Sequence, residues 1–449
     1  MSEIVHDLAP DAQIYFASAN GGKAAFADSI LALRAAGCQI IVDDISYPNE
    51  WQFQDDEIGQ AINSVVAAGS VYFSSAGNEG NLKRGNSTTW EGDFLDGGAA
   101  AAPLPTGGSV HSFGAKNYNT LVAEDSDVSL QWSDEARSAS NDYDLYILNA
   151  AGTTIVSAST DFEDGTEVAY ESVSDVHPGE QIVVWKDDSA APRYLRISAT
   201  RQLEIGTAGQ TIGHAATANC ICVAASSAYD AVETPSGIFS TSSKTEDSSS
   251  DGPHKMFYQP DGTPFTPGNF LASGGLTIQT PAITAADGGE TSLPEGGLNP
   301  FYGTSAAAPH AAAIAALVWS KYPTLSNTQI RAILESSCLD IEAPGFDINS
   351  GNGILMADLA LASRVPQFTQ QPVAVEVVAG QSATFTAAAS NPLAGTTLSY
   401  QWRRGNANVP GATTTTLTLN NVRREDSALY SLRVTNPAGS ADSAPAQLT

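Results

Sequence analysis

FYGTSAAAPHAAAIAALV, residues 301–318, is the most informative stretch of the chain. It places Ser305 after a Gly-Thr pair and before a run of small apolar residues, which predicts a buried helix that begins near Ser305. At a helix start, free backbone N–H groups and the helix dipole favour negative charge that develops beside the hydroxyl. Gly303 permits a tight turn, and Pro309 is expected in the first helical turn, where a missing N–H costs little. The pattern predicts a nucleophilic serine; the alternative is a serine that only caps a buried helix.

A second informative stretch, FSSAGNEG, covers residues 73–80. An apolar strand is predicted to end at Ala76, and Gly77 with Asn78 then turns out of the carboxyl end of the sheet. The side-chain amide of Asn78 is expected to be presented there. An amide that reaches the transition-state oxygen acts as an oxyanion-hole donor and lowers the barrier by about 3 to 4 kcal/mol. The two stretches together predict a nucleophile and an oxyanion donor in one site.

The composition sets limits on size and on partners. The chain has 449 residues, 42% hydrophobic and 15% charged, so it can bury sizeable cores, in roughly two to four domains. No run of 18 or more apolar residues occurs, so no membrane span is predicted. Asp and Glu total 49 against 20 Lys and Arg, and the net charge of -29 argues against nucleic acid as a partner. The excess of acidic residues is explained by a surface that keeps the protein soluble or, alternatively, by residues that bind calcium.

Residues 1 to 85 alternate helix and strand signals. Apolar strands are predicted at residues 12–19, within CQIIVDDIS and within SVYFSSAGN, with amphipathic helices at residues 24–37 and 55–69. Continuous apolar strands that alternate with helices predict an α/β fold. Its doubly wound, mostly parallel sheet is expected to be covered by helices on both faces.

Two further regions show the short alternating strands of β-sandwiches. One runs from about residue 107 to residue 207, after which a buried strand signal returns, so it is predicted to be an insertion. The other follows the break SRVPQFTQQPVAV. We predict an α/β domain over 1–105 and 208–362, an inserted β-sandwich over 106–207 and a C-terminal sandwich over 366–449.

YGTSAAAPHAAAIAALV together with SSAGNEG resembles the subtilisin-like serine proteases, the subtilases. DLAPDAQIYFASA, GCQIIVDDISYP and GFDINSGNGILMADLAL agree with that family more weakly in order and spacing, so the resemblance covers residues 1–105 and 208–362. It implies that Ser305 is the nucleophile and Asn78 the oxyanion donor. The resemblance also implies that the substrate is bound by Asp44, Ile45, Ser46, Ala76 and Gly77.

The chain departs from the family in one respect that concerns the catalytic base. A subtilase has an Asp on its first strand and a His at the start of the helix before the Ala-Pro turn. In this chain that turn begins at Ala9, so both residues are predicted to lie upstream of Met1, and the sequence is predicted to be truncated at its N-terminus. The missing base is predicted to be His or, as in the related sedolisins, Glu, which would lower the pH optimum.

The six histidines of the chain are weak substitutes for that base. His6 lies at the wrong end of its predicted helix, and His310 follows the nucleophile by five residues and is expected to turn away from it. The others are predicted in the inserted sandwich or on solvated turns and loops: His111, His177, His214 and His254. Asp44 is expected to favour a basic substrate side chain or, alternatively, to point at solvent.

The inserted region contains NDYDLYILNAAGTT, which resembles the small β-sandwich called the pre-peptidase C-terminal domain. Asn141, Asp142 and Asp144 are clustered oxygen ligands, and the two aspartates share a strand face. They predict either a structural Ca²⁺ site or a solvated acidic turn. No cofactor is predicted to be required for activity.

The C-terminal region resembles an immunoglobulin-like domain. Trp402 in YQWRRG matches the core tryptophan, and Asp426 to Tyr430 matches the tyrosine corner. Both cysteines of the usual inter-sheet bridge are replaced, the second by Leu432. The domain is predicted to bind a surface or a partner protein.

The sequence therefore predicts a serine endopeptidase of the subtilase type that acts on polypeptides and is secreted or located at the cell surface. The alternative is a truncated or degenerate subtilase fold without catalytic activity, used in binding or adhesion.

Overall fold

The computed structural model describes residues 1–232, 237–294, 296 and 298–449. The chain begins with α1 (Ser2–Leu8), α2 (Lys23–Ala35), β1 (Ile40–Asp43), α3 (Glu57–Ala67) and β2 (Val71–Ser75). The strand predicted at residues 12–19 is wrong: the segment is irregular, and Phe16 is 90% exposed. A strand forms only where a neighbour pairs with its backbone groups, and the described sheet has β1 as its edge at this side.

An antiparallel β-sandwich follows. Its strands are β3 (Thr89–Asp93), β4 (Asp96–Ala99), β5 (Gly108–His111), β6 (Ser126–Trp132), β7 (Tyr143–Leu148), β8 (Ile155–Ser159), β9 (Tyr170–Val176), β10 (Gln181–Asp187) and β11 (Tyr194–Ala199). One sheet has the order β4-β5-β10-β7-β8 and the other β3-β11-β6-β9. Trp132 and Tyr143 are buried in the core between them. The strands start at Thr89, ahead of residue 106, and the proposed three-domain division stays a prediction.

The chain then returns to the α/β domain. The elements are β12 (Cys220–Ser227), α4 (Ala228–Val232), β13 (His254–Met256), β14 (Leu276–Ile278), β15 (Ile283–Asp287), α5 (Thr304–Lys321), α6 (Asn327–Glu335), β16 (Cys338–Leu339), β17 (Ile354–Leu355) and α7 (Ala357–Ala360). The central sheet has the order β1-β2-β12-β15-β17-β16 and is parallel except for the pair of β16 with β17. The prediction of a mostly parallel α/β sheet is confirmed.

Helix α5 carries the first informative stretch of the sequence. Its alanines, from Ala306 to Ala308 and from Ala311 to Ala313, are buried, because small side chains let the helix lie close to its neighbours. Pro309 lies in the second turn of α5 and not in the first as expected. The missing N–H of Pro309 would otherwise bond to the carbonyl of Ser305, four residues earlier. That carbonyl is thus left without its usual helical partner.

The C-terminal sandwich contains β18 (Gln367–Gln370), β19 (Ala383–Thr386), β20 (Ala388–Ser390), β21 (Ser399–Arg404), β22 (Ala407–Asn408), β23 (Thr416–Leu419), β24 (Leu429–Asn436), β25 (Gly439–Asp442) and β26 (Ala446–Gln447). Trp402 is buried in its core, and the Tyr430 hydroxyl donates to the Asp426 carbonyl at 3.0 Å. Leu432 is packed in the same core, so apolar contacts replace the inter-sheet bridge that is usual in such domains. The immunoglobulin-like prediction is confirmed.

Two compact units make up the described chain. The first contains Met1–Ala316 with Cys338–Met356, and the second contains Leu317–Ser337 with Ala357–Thr449. Within the described residues, no helix combines the length and the apolar character needed to cross a membrane.

Candidate active site

The end of β2 and the start of α5 meet through Asn78. Its side-chain oxygen accepts hydrogen bonds from the Thr304 backbone N–H at 3.1 Å and from the Thr304 hydroxyl at 3.3 Å. The Gly77 N–H donates to the same hydroxyl at 3.2 Å. Among the described residues, none accepts a hydrogen bond from Asn78 Nδ2. The amide is therefore held by its oxygen, and its two N–H donors are available beside the N-terminus of α5.

Gly303 is needed for this contact. It has a φ of +86°, in the left-handed region, and its N–H donates to the Asp287 carboxylate at 2.5 Å. A Cβ at this position would lie 2.8 Å from Asn78 Oδ1, too close for any side chain. Burial raises the pKa of Asp287 to about 6, while the Gly303 N–H acts in the opposite direction. The turn before Ser305 therefore needs a glycine, because the Asn78 amide occupies the space that a side chain would take.

Ser305 is half-buried in the first turn of α5. Its hydroxyl and that of Ser75 lie near the carboxyl of Asp44 and act to lower its pKa. Burial raises the pKa of Asp44, and the two hydroxyls only partly oppose that rise. Asp44 was predicted to line the substrate site; the structure also brings its carboxyl to the predicted nucleophile.

A cleft of about 90 Å³ opens beside Asn78. Its walls contain Asn78 and all five residues predicted to bind substrate: Asp44, Ile45, Ser46, Ala76 and Gly77. They also contain four residues that the sequence reasoning missed: Ser75, Glu79, Ile212 and Ala215. Ser75 could have been found from its place in the FSSAGNEG stretch. Ile212 and Ala215 follow the inserted sandwich in the chain, and no motif marks them.

A buried ionic group lies directly behind this cleft. His214 is 2% exposed, with Nδ1 2.9 Å from Glu50 Oε2 and Nε2 3.2 Å from Asp43 Oδ1. Burial by itself lowers the pKa of His214, but the carboxylates of Glu50 and Asp43 outweigh it and raise that pKa well above its usual value. The prediction of a solvated His214 is therefore wrong. Asp43 precedes Asp44 of the cleft wall, and His214 precedes Ala215 of the same wall. The ionic group therefore supports the wall from inside.

The other histidines are placed away from Ser305 or turned from it. His310 Nδ1 lies 2.8 Å from the Ala306 carbonyl, one helical turn back, and burial lowers the pKa of His310. His6 is exposed on α1. His254 was predicted to be solvated, which is wrong: it is buried in β13, and burial lowers its pKa to about 3. His111 is buried in the sandwich and His177 is exposed there.

Of the three residues predicted as metal ligands, Asn141 is engaged elsewhere, while Asp142 and Asp144 interact with each other. Asn141 donates to the Asp134 carboxylate at 2.8 Å and accepts from the Ala191 N–H at 2.7 Å, so both ends of its amide are engaged. Asp142 and Asp144 lie near two further acidic residues of the sandwich, Glu163 and Glu171. No hydrogen bond joins this region to Asn78 or Ser305 among the described residues.

Comparisons with known proteins assign both domains of the chain to families. The sequence model of the subtilase family matches residues 1–353, and that of an immunoglobulin domain matches residues 365–436. Fervidolysin of Fervidobacterium pennivorans is 31% identical over 108 residues, which are 21% of this chain and 16% of that protein. Alkaline elastase YaB of Bacillus sp. is 37% identical over 86 residues, 19% of this chain and 21% of that protein. The matched segments thus span about a fifth of these relatives.

Among solved structures, the titin domains z1z2 in complex with telethonin are 30% identical and have a TM-score of 0.17. The match covers 20% of this chain and 48% of that one.

Proposed function

The chain belongs to the subtilase family, and we propose that it is a serine endopeptidase with Ser305 as its nucleophile and Asn78 as its oxyanion donor. The observation that carries the proposal is the fixed amide of Asn78. With Oδ1 bonded to the Thr304 N–H at 3.1 Å, Nδ2 remains to donate to an oxygen beside Ser305. A serine protease needs such a donor where the carbonyl oxygen becomes negative.

The reaction follows from these positions. The Ser305 oxygen attacks the peptide carbonyl carbon, and the carbonyl oxygen becomes an oxyanion that accepts from Asn78 Nδ2. The intermediate collapses to an acyl-enzyme and releases the amine half of the substrate. Water then hydrolyses the ester and regenerates Ser305. The start of α5 adds a favourable field, because the positive end of the helix dipole lies at the residue that develops charge.

The proton of Ser305 needs an acceptor. The base and its orienting acid were predicted upstream of Met1, as His or Glu with Asp, and this stays a prediction. Asp44 is a carboxyl of the chain itself that the Ser305 hydroxyl faces. A carboxylate with a pKa above its ordinary value is a better proton acceptor than an exposed aspartate. Asp44 is therefore a second candidate for this role, beside its predicted contact with the substrate.

The cleft supports polypeptide substrates. Ile45 and Ser46 follow β1, and Ala76 with Gly77 follows β2, so the segments after two neighbouring strands border the same opening. We propose that a substrate segment lies between them and places its scissile carbonyl at Ser305. A secreted or cell-surface location, and binding of a surface or partner by the immunoglobulin-like domain, remain proposals.

Hydrolysis of fluorescently labelled casein by the purified chain tests the proposed function. We expect turnover that is abolished in Ser305→Ala and unchanged in Ser174→Ala, because Ser174 is an exposed serine of the inserted sandwich. Equal turnover in the chain and in Ser305→Ala would contradict the proposal.

A further inference from the structure

A group of four acidic residues lies inside the inserted β-sandwich. Asp142 precedes β7, Asp144 lies in β7, Glu163 lies between β8 and β9, and Glu171 lies in β9. We call them the sandwich carboxylate group. Asp144 is 6% exposed, Glu163 3% and Glu171 1%, while Asp142 is half-buried. Carboxylates are rarely buried to this degree unless they are paired or bind a metal.

Neutral donors satisfy part of this group. The Tyr146 hydroxyl donates to Asp144 at 2.8 Å, and the Asp161 N–H donates to Glu171 at 2.9 Å. The Tyr143 N–H donates to Glu163 at 3.3 Å. These donors reduce the cost of burial but supply no positive charge.

No cation balances the group. Among the described residues, none of the ion pairs involves any of the four carboxyls. Lys186 of β10 donates to the carbonyls of Asp187 and Ala190 at 2.6 and 2.7 Å. The charges that act most strongly on the pKa values of Glu163 and Glu171 are those of other carboxylates, and they raise both values.

Two oxygens of the group receive no N–H or O–H donor among the described residues. They are Glu163 Oε1 and Asp142 Oδ1, and both are buried. The two carboxyls lie within hydrogen-bonding reach of each other, an arrangement that a bridging cation or a shared proton stabilises. Burial and repulsion by its neighbours raise the pKa of Glu163 to about 9, and burial first of all raises that of Glu171 to about 7. An unpartnered carboxylate that is almost wholly buried, facing a second one, requires a positive ligand or a proton.

We propose that the sandwich carboxylate group binds one Ca²⁺ ion, with Asp142 and Glu163 as its central ligands. Calcium takes six to eight oxygen ligands at flexible angles, and carboxylates with main-chain carbonyls are its usual set. Magnesium requires near-ideal octahedral geometry, and zinc prefers His and Cys, which the group lacks. Asn141 is excluded from the site because both ends of its amide are engaged. The inference does not depend on the proposed peptidase activity.

An exposed acidic trio on the same sandwich serves as a control. Asp125, Asp175 and His177 are the one set among the described residues with three side-chain donor atoms within 4.8 Å of one another. His177 Nδ1 already pairs with Asp125 at 2.8 Å, and all three are exposed. The buried carboxyls are spaced more widely, so we expect main-chain carbonyl and water oxygens to complete the shell around the ion.

Calorimetric titration of the chelator-treated full chain with CaCl₂ tests the proposal. We expect saturable binding that stabilises the native chain and raises its Tm, with MgCl₂ much less effective. Glu163→Gln removes one ligand and keeps the shape of the side chain, so binding should weaken at least about 10-fold. Asp125→Asn should bind as the parent chain does. Circular dichroism without calcium checks that each variant is folded.

Three results would overturn the proposal. The first is no binding heat and no calcium-dependent Tm, in which case protons neutralise the group. The second is undiminished binding in Glu163→Gln, which would place the ion elsewhere. The third is loss of binding in Asp125→Asn, which would assign the ion to the exposed trio.

Discussion

The side-chain oxygen of Asn78 accepts a hydrogen bond from the backbone nitrogen of Thr304 at 3.1 Å, one residue before Ser305. This contact links the turn after β2 to the start of α5, through two residues that are 226 positions apart in the chain. It also fixes the orientation of the amide, because the oxygen is used and the nitrogen is not. The proposed site depends on this orientation.

Two substitutions of Asn78 distinguish the role of its side-chain oxygen from that of its nitrogen. Asn78→Asp keeps an oxygen that can accept from Thr304 but loses the N–H donor, and Asn78→Ala loses both. We expect kcat to fall by about 100- to 1,000-fold in both variants with little change in KM. Steady-state kinetics on a peptide substrate measures this. An Asn78→Asp enzyme with the parent kcat would contradict the oxyanion role.

Gly303→Ala tests the close approach of the turn to Asn78. The added Cβ meets Asn78 Oδ1 at 2.8 Å and adopts a φ of +86°, so we expect a loss of stability and at least a 10-fold loss of kcat, an order-of-magnitude estimate. Gly37→Ala is the matched control. Gly37 has a φ of +98° with no atom within 4 Å of its Cβ, so only stability should fall. Equal kcat in the two variants would contradict the account of the turn.

The sequence predicted the parts of this site that lie in contiguous motifs. Ser305, Asn78 and the five cleft residues belong to three short stretches, each recognisable by its turn and by its apolar neighbours. The contact of Asp44 with Ser305 was not predictable in this way. It depends on the position of β1 beside β2 and on the crossover to α5, which no local pattern encodes.

Asp44→Asn tests whether this carboxyl takes part in the reaction. If ionised Asp44 accepts the Ser305 proton, activity should decrease as the pH falls through the raised pKa of Asp44, and Asp44→Asn should lose kcat and this acidic limb. The pH profile of kcat/KM measures both effects. Asp28→Asn, on the exposed face of α2, is the control.

Two other results for Asp44→Asn would separate a role in substrate specificity from a role as proton acceptor. A variant that keeps kcat and the acidic limb but loses its preference for peptides with a basic side chain supports the specificity role alone. Equal turnover of basic and apolar peptides, unchanged in the variant, would contradict both roles.

His214→Gln tests the buried ionic group behind the cleft. The variant leaves Asp43 and Glu50 buried without their cation, so we expect a loss of about 3 to 5 kcal/mol in the free energy of unfolding. Urea denaturation measures it. His177→Gln, which changes an exposed histidine paired with Asp125, should have a small effect. Equal effects of the two substitutions would contradict the structural role of His214.

The pH dependence of stability has a definite sign at His214. Its pKa is raised in the folded state, so the contribution of His214 is complete below the pKa of an unfolded histidine. That contribution is lost as the pH rises through the folded pKa. Parent chain and His214→Gln should therefore become more similar in stability at alkaline pH. Urea denaturation over a pH series shows whether they do; a constant difference would contradict the sign.

The two histidines whose exposure was predicted wrongly show that burial caused by long-range contacts cannot be read from one sequence. His214 and His254 stand in polar, loop-like surroundings, which is why they were expected in solvent. His214 is buried because two carboxylates, from Asp43 and Glu50, reach it from more than 160 residues away. Such long-range pairing is a property of the folded chain and not of the local composition. In the inserted sandwich, Asp142 and Asp144 were named from their local spacing, but Glu163 and Glu171 were missed for the same reason: Asp144 and Glu171 come from different sheets.

The most direct test of the central claim is labelling of the purified chain with a fluorophosphonate probe, followed by mass spectrometry of the modified peptide. The probe reacts with a serine only when its hydroxyl is activated and an oxyanion donor is in place. We predict a single adduct on Ser305, absent in Ser305→Ala and much slower in Asn78→Ala. A folded chain whose Ser305 remains unlabelled would contradict the account and favour a subtilase fold used for binding or adhesion.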